Sequence, residues 1–140
     1  MQRVVLCMKW DTLFGPDYVN VLYSACQAHI SGPFRFVCLT DDATGLSSGV
    51  ETFPIPDIGC STEMWFNGAW PKLAVFAKDL YGLTGRALFI DMDTVVTGNL
   101  DRFFDHDAPL IGIDTGKNWH RGGVPGPAGK HPPLLGTGVF

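Results

Sequence analysis

The chain has little basic charge, no long apolar segment and no closely spaced cysteine pair, and each shortage excludes a class of protein. Ten Lys and Arg stand against 14 Asp and Glu in 140 residues, a formal net charge of −4, so no basic surface indicates binding to nucleic acid or anionic lipid. No apolar run approaches the roughly 20 residues that span a bilayer, and the stretch Val4–Met8 is too short for the apolar core of a secretion signal. We therefore expect a cytoplasmic protein with no transmembrane segment and no nucleic-acid partner.

The four cysteines, at positions 7, 26, 38 and 60, include no CxxC motif. Cys7 and Cys38 fall inside apolar, strand-like runs, where a free thiol behaves as a small apolar side chain. The even number formally allows two disulfides, but the pattern agrees better with buried free thiols in a reducing compartment.

Apolar sequence, by contrast, is abundant. Hydrophobic residues make up 46% of the chain and charged residues 17%, which is typical of a globular protein and excludes wholesale disorder. The length matches one domain of ordinary size, so we expect a single domain over 1–140. The Gly- and Pro-rich stretch 116–136 predicts a loop or lid. Residues 135–140 are typical of the start of a further strand, and we expect a C-terminal portion to be missing.

Strand-like and helix-like segments alternate along the chain. Strands are predicted at 3–8, 34–39, 50–55, 86–96 and 109–113, helices at 16–30 and 71–81, and a helical turn at 100–105. In the second helix Pro71 suits the first position, and the predicted buried face comprises Leu73, Phe76, Ala77 and Leu80. This alternation predicts an α/β fold, a sheet with helices on its faces.

Two carboxylates, Asp91 and Asp93, interrupt the most strand-like segment, with apolar runs on both sides. Burial of two like charges is unfavourable without a cation or strong hydrogen bonds. The carboxyl end of a central strand, where α/β sheets open their ligand crevice, avoids that cost. Two residues apart on an extended chain, both side chains point to the same side, a pair suited to Mg²⁺ or Mn²⁺. The alternative is a turn or cap with solvated aspartates.

The string GRALFIDMDTVVTGNLDRFF resembles the DxD region of GT-A glycosyltransferases, especially the family-8-like enzymes that include glycogenin and bacterial galactosyltransferases. The resemblance extends to the order of strands and helices and covers essentially the whole chain, most specifically 71–105. It implies a GT-A fold, a Rossmann-like three-layer α/β sandwich. The chain would then be the N-terminal, donor-binding portion of such a domain.

The resemblance also implies roles for individual residues. Asp93 would bind the metal directly, and Asp91 would contact it through water or contact the donor ribose. Lys72 resembles the basic residue that contacts the donor diphosphate. The implied partners are a nucleoside-diphosphate sugar, with a UDP-sugar expected, and an unknown acceptor, and the implied cofactor is Mn²⁺ or Mg²⁺. Such a metal and lysine would stabilise the charge that develops on the departing diphosphate.

Three further residues are candidates for the nucleotide itself. By the same resemblance Lys9 and Trp10, at the end of the first strand, would border the base, and Asp41, at the end of the second, would contact base or ribose. The third metal ligand of family-8 enzymes, a histidine in a C-terminal motif, has no counterpart in this sequence.

Two other interpretations remain open. The segment 89–95 also resembles the D-x-D-x-[TV] motif of haloacid-dehalogenase-like phosphatases, in which one aspartate is the nucleophile and the next an acid/base. That motif usually lies near the N-terminus, and only 47 residues follow Asp93 here. A module that binds a nucleotide sugar without turnover is the second alternative.

The aromatic residues of the segment before the second predicted helix have two interpretations. Trp65, Phe66 and Trp70 would either line a site for a sugar or base or pack in the core.

Overall fold

The structure, a computed structural model, describes residues 1–114, 135–136 and 138–140. The strands and helices, in chain order, are β1 (Arg3–Lys9), α1 (Pro16–His29), β2 (Arg35–Thr40), β3 (Glu51–Phe53), α2 (Thr62–Phe66), β4 (Arg86–Phe89), β5 (Ile113–Asp114) and β6 (Leu135–Gly136). Within the same residues, 3₁₀ helices lie at Trp70–Phe76, Leu80–Gly82 and Asp101–Phe104.

Four parallel strands form the main sheet, in the order β3-β2-β1-β4. The chain moves outward from β1 through β2 to β3 and then returns to the other side of β1 with β4. The order therefore reverses between β1 and β4, and α/β sheets bind ligands in the crevice beyond the carboxyl ends of the strands at such a reversal. Beyond β4, Ile90 forms an antiparallel bridge with Val139, and β5 and β6 form a separate antiparallel pair.

Helical elements cover both faces of this sheet, which makes β1 the centre of the fold. Alternate residues of β1 point to opposite faces, and both sets are buried. On one face Val5 and Cys7 pack with α1 residues Val19, Leu22 and Cys26. On the other face Val4, Leu6 and Met8 pack with Ala74 of the first 3₁₀ helix. The predicted α/β class is confirmed.

The buried thiols agree with the sequence. Cys7, Cys26 and Cys38 are buried, and all four cysteines are free. Burial raises the pKa of the Cys26 thiol to about 12, because a thiolate loses its hydration there.

Among the described helices, none combines the length and apolarity that crossing a membrane would need.

The predicted α-helix over 71–81 is wrong. The chain instead forms the 3₁₀ helix Trp70–Phe76 and then a second turn in which Tyr81 has the left-handed φ of 49°. Contacts with the end of β3 hold Tyr81 there: its ring stacks on Phe53 at 4.5 Å, and its hydroxyl donates to the Pro54 carbonyl at 2.6 Å. Tertiary contacts have overridden a helical pattern that was short and weakly capped.

The buried face of this segment also differs from the prediction. The residues predicted to be buried are exposed or half-buried, namely Leu73, Phe76, Ala77 and Leu80, whereas Pro71 and Ala74 are buried. A spacing of three residues is shared by α and 3₁₀ helices, so the pattern did not determine which residues contact the sheet.

Three predicted strands are shorter than expected. The strand predicted over 50–55 is reduced to β3, Glu51–Phe53. The strand predicted over 86–96 ends with β4 at Phe89, because the backbone turns at the aspartates and the Thr94 amide donates to the Asp91 carbonyl at 2.9 Å. Of the strand predicted over 109–113, only its last residue belongs to β5. The loop predicted over 116–136 lies outside the described residues except for β6.

Candidate functional site

A cavity of about 300 Å³ lies beyond the carboxyl ends of β1 and β4, where the strand order reverses. Its lining combines aromatic rings with charged groups: Met8, Trp10, Asp11, Leu13, Phe14, Trp65, Phe66, Gly68, Ala69, Lys72, Asp91, Met92 and Asp93. Four residues predicted for the site, Trp10, Lys72, Asp91 and Asp93, are therefore brought together from three separate parts of the chain.

Lys72 and Asp91 form an ion pair at the base of the cavity. The Lys72 Nζ atom lies 2.5 Å from Asp91 Oδ2, and the two side chains are 15% and 28% exposed. The same ammonium lies 5.6 Å from the centre of the Phe89 ring. On the backbone side, the Asp91 amide donates to the Gly138 carbonyl at 2.7 Å. Asp91 is thus fixed by its strand end, by the antiparallel residues beside it and by the lysine.

The electrostatics of Asp91 reflect opposing effects. Burial raises the pKa of the Asp91 carboxyl above its ordinary value, the hydrogen bond and charge of Lys72 lower it, and the nearby Asp93 charge raises it again. Burial prevails, because removing a carboxylate from water disfavours its charged form. The Lys72 ammonium therefore compensates the negative charge of the Asp91 carboxylate only in part.

Asp93 is the exposed member of the pair. It follows Asp91 in the turn after β4 and lines the cavity as well as a neighbouring apolar depression of about 260 Å³. The predicted extended geometry is wrong here, because the chain turns at the aspartates. The turn nevertheless places both carboxylates on the same cavity.

An aromatic wall, formed by Trp10 and Trp65, lines the same cavity. The rings of Trp10 and Trp65 meet edge to face, with centroids 6.3 Å apart and an interplanar angle of 76°. The Trp10 indole N–H donates to the Trp65 backbone carbonyl at 3.2 Å. Of the aromatic residues with two interpretations, Trp65 and Phe66 line the cavity and Trp70 does not.

Sequence reasoning missed Asp11, which lines the cavity directly after the central strand. Its φ is 61°, a left-handed conformation that is uncommon for a residue with a side chain. Asp41, predicted to contact base or ribose, is outside the cavity lining and instead accepts the Asp11 amide on Oδ2 at 3.0 Å. Asp11 could have been identified from its position after the central strand, where α/β sheets bind their ligands.

Lys9, predicted to border the base, is not part of the cavity lining. Lys9 is only 4% exposed, and its ammonium points to the Asp42 carbonyl at 3.4 Å. Successive side chains of a strand point to opposite faces, so Trp10 and Lys9 cannot both enter the same cavity. Of these two residues, the structure brings Trp10 to the cavity and leaves Lys9 outside its lining.

The donor set of the cavity fits a hard divalent cation. Carboxylate oxygens are the ligands that Mg²⁺ and Mn²⁺ prefer. No cluster of three or more His, Cys, Asp or Glu side chains occurs among the described residues, so Asp91 and Asp93 would be the protein's share there. Mg²⁺ is commonly held in this way, by one or two carboxylates with water and substrate phosphates completing the shell.

A larger cavity, of about 430 Å³, borders the other side of β4 near Phe89 and Phe140. Its described lining is apolar apart from Arg86 and His106 and contains no carboxylate. Arg86 is already engaged by the Phe104 carbonyl and by Asp107. Size alone therefore favours this cavity, whereas the convergence of charged and aromatic groups favours the smaller one.

In comparisons with known proteins, no family model matches the chain, and no curated protein and no solved structure matches it at a significant level.

Proposed function

We propose that this chain binds a nucleoside-diphosphate sugar through a divalent metal and is the donor-binding part of a glycosyltransferase with a GT-A-like fold. One observation carries the proposal: Asp91, Asp93, Lys72 and the Trp10–Trp65 wall converge on one cavity at the reversal of strand order. A sheet of order 3-2-1-4 with ligand groups at that reversal is the arrangement of nucleotide-binding α/β domains.

The groups of the cavity match the parts of such a donor. A base or sugar has a flat face for the aromatic wall of Trp10 and Trp65. A diphosphate needs positive charge, and the loop 10–15 after β1 contains only one glycine, Gly15, so it is not a glycine-rich phosphate loop. In the described lining of the cavity, the Lys72 ammonium supplies such charge, and a cation on Asp91 and Asp93 would add to it.

These residues suit transfer of the sugar by loss of the diphosphate. When the bond between the sugar and the diphosphate breaks, negative charge grows on the departing oxygen. Lys72 would bind that charge more strongly in the transition state than in the ground state, which is what accelerates a reaction. A divalent ion held by Asp91 and Asp93 would add Lewis-acid stabilisation of the same charge. The proposal leaves the acceptor unspecified. The four free thiols agree with a cytoplasmic setting for this protein.

Calorimetric titration of UDP, with and without Mn²⁺, tests the proposal. We expect UDP to bind only with Mn²⁺ and the variant Asp93→Asn to lose about tenfold or more in affinity, since outer partners and ligands of metal sites have effects of this size. Asp105→Asn, an exposed carboxylate elsewhere, is the matched control and should bind UDP like the wild type.

The same samples separate the alternatives. UDP binding that does not depend on Mn²⁺ or on Asp93 would contradict the proposal. Hydrolysis of a phosphate monoester that disappears in Asp91→Asn would replace it with a phosphatase of the haloacid-dehalogenase type. Metal-dependent binding without sugar transfer or hydrolysis of the donor would identify a non-catalytic binding module.

A further inference from the structure

We propose that Lys72 is an internal counter-cation which holds the Asp91 carboxylate until a divalent metal displaces it, and which then moves to the diphosphate. The inference rests on the proposed function and concerns how the site is loaded. It makes one lysine a competitor of the metal and a partner of the nucleotide.

Geometry places Lys72 and the metal in competition. The lysine ammonium lies 2.5 Å from Asp91 Oδ2, a close contact between full charges. A divalent ion on Oδ2 itself would lie within about 5 Å of that ammonium, a separation at which like charges repel strongly in a partly buried site. Metal binding to Asp91 therefore opposes the ion pair found here.

Asp91 also requires a cation at all times. Its carboxylate is largely shielded from water and is paired with Lys72, and removing one partner of such an ion pair is costly. Lys72 can thus leave only as another cation arrives. The metal and the lysine would therefore exchange at Asp91, so that the negative charge of its carboxylate keeps a neighbouring cation.

Lys72 is suited to such a move. Its ammonium is carried on a flexible four-carbon stem, and both Lys72 and Asp91 line the cavity. Rotation of this stem would carry the ammonium from the carboxylate toward the cavity space proposed for the diphosphate. There it would add a charge-assisted hydrogen bond, so metal and nucleotide would each favour binding of the other.

The exchange predicts effects of opposite sign for one substitution. In Lys72→Met, Mn²⁺ alone should bind about tenfold tighter than in the wild type, because a neighbouring charge commonly changes such equilibria by a factor of ten or more. UDP in saturating Mn²⁺ should bind about tenfold weaker, because its lysine contact is gone. Lys78→Met, at an exposed lysine of the same segment, should change neither affinity.

Electron paramagnetic resonance of free Mn²⁺ measures the first affinity, and calorimetry with UDP measures the second. Thermal unfolding shows whether a variant has changed affinity only because it folds poorly. Without metal, Lys72→Met should melt below the wild type, and Mn²⁺ should raise its Tm by more than it raises that of the wild type. The double variant Asp91→Asn with Lys72→Met, in which position 91 carries no charge that needs a cation, should lose this extra shift.

Each outcome decides a different proposal. Tighter Mn²⁺ with weaker UDP in Lys72→Met supports the exchange, since a merely structural lysine would not move the two affinities in opposite directions. Unchanged or weaker Mn²⁺ binding in that variant, with metal-dependent UDP binding intact in the wild type, overturns the exchange and leaves the proposed function standing. Absence of metal-dependent UDP binding in the wild type overturns the proposed function, and the exchange with it.

Discussion

At the scale of single residues, Trp65 is the side chain through which base stacking can be separated from metal binding. It lines the same cavity as the carboxylates and meets Trp10 edge to face. Its contact with the Trp10 indole N–H uses the backbone carbonyl, which Trp65→Ala retains. We expect that variant to bind UDP with Mn²⁺ about tenfold more weakly, since stacking of a base on an aromatic ring contributes about 1–3 kcal/mol. Calorimetry gives the affinity.

Trp70→Ala is the matched control, because Trp70 is half exposed and does not line the cavity. It should bind UDP like the wild type. Affinity for Mn²⁺ alone should be unchanged in both variants. Equal loss of UDP affinity in the two variants would mean that the wall acts through the fold rather than through the nucleotide.

At the scale of secondary structure, the position of β4 depends on the glycine that precedes it. Gly85 has a φ of +101°, and an added Cβ would lie 2.2 Å from the Gln2 carbonyl oxygen. The next residue, Arg86, donates its amide to that same oxygen at 2.9 Å, so the close approach is what aligns β4 with β1. We expect Gly85→Ala to lower the free energy of unfolding by about 2–3 kcal/mol, from left-handed strain and a backbone clash.

Urea denaturation followed by circular dichroism measures this change. Gly98→Ala is the control, because an added Cβ there meets nothing within 4 Å, and its effect should stay within about 0.5 kcal/mol. A wild-type denaturation midpoint for Gly85→Ala would show that β4 can move aside, and with it Asp91.

Elements with long, regular patterns were predictable, and those fixed by distant contacts were not. The apolar runs of β1 and β2 and the 14 helical residues of α1 each bury a recognisable face. The segment 71–81 carried an equally suggestive spacing, yet its conformation depends on Tyr81 stacking on β3, a contact that local sequence does not encode. Short turns after strands, such as that at Asp91, share this dependence.

The candidate site was also predictable only in part: sequence patterns indicated some of its residues, and others depend on the fold. A pair of carboxylates after an apolar run indicated the strand end, and the resemblance added Lys72 and Trp10 to it. Which side of the strand each residue occupies depends on register and pleat, which the sequence pattern did not give: Trp10 lines the cavity, whereas the Lys9 ammonium donates to the Asp42 carbonyl. Asp11 was overlooked, although it closely follows the central strand, at the sheet edge where α/β folds open their ligand crevice.

At the scale of the whole molecule, Asp101 joins segments that are far apart in sequence. Its carboxylate accepts from the Arg3 guanidinium of β1 at 2.9 Å and from the Ser31 amide after α1 at 3.0 Å. Its other oxygen accepts from the Asn99 side chain at 3.0 Å. Hydrogen bonds from Asn99 and Ser31, helped by the charge of Arg3, lower the pKa of Asp101 below its ordinary value of 3.8.

Because the folded state favours ionised Asp101, the carboxylate stabilises the protein fully above the ordinary pKa and loses that effect as the pH falls below it. We expect Asp101→Asn to melt below the wild type at pH 7 and pH 5, and the gap in Tm to narrow between pH 4 and pH 2. Thermal unfolding across this range measures the gap, with Asp105→Asn as the exposed control. A gap that stays constant down to pH 2 would mean that Asp101 acts through packing, and that the β1–α1 junction is held without its charge.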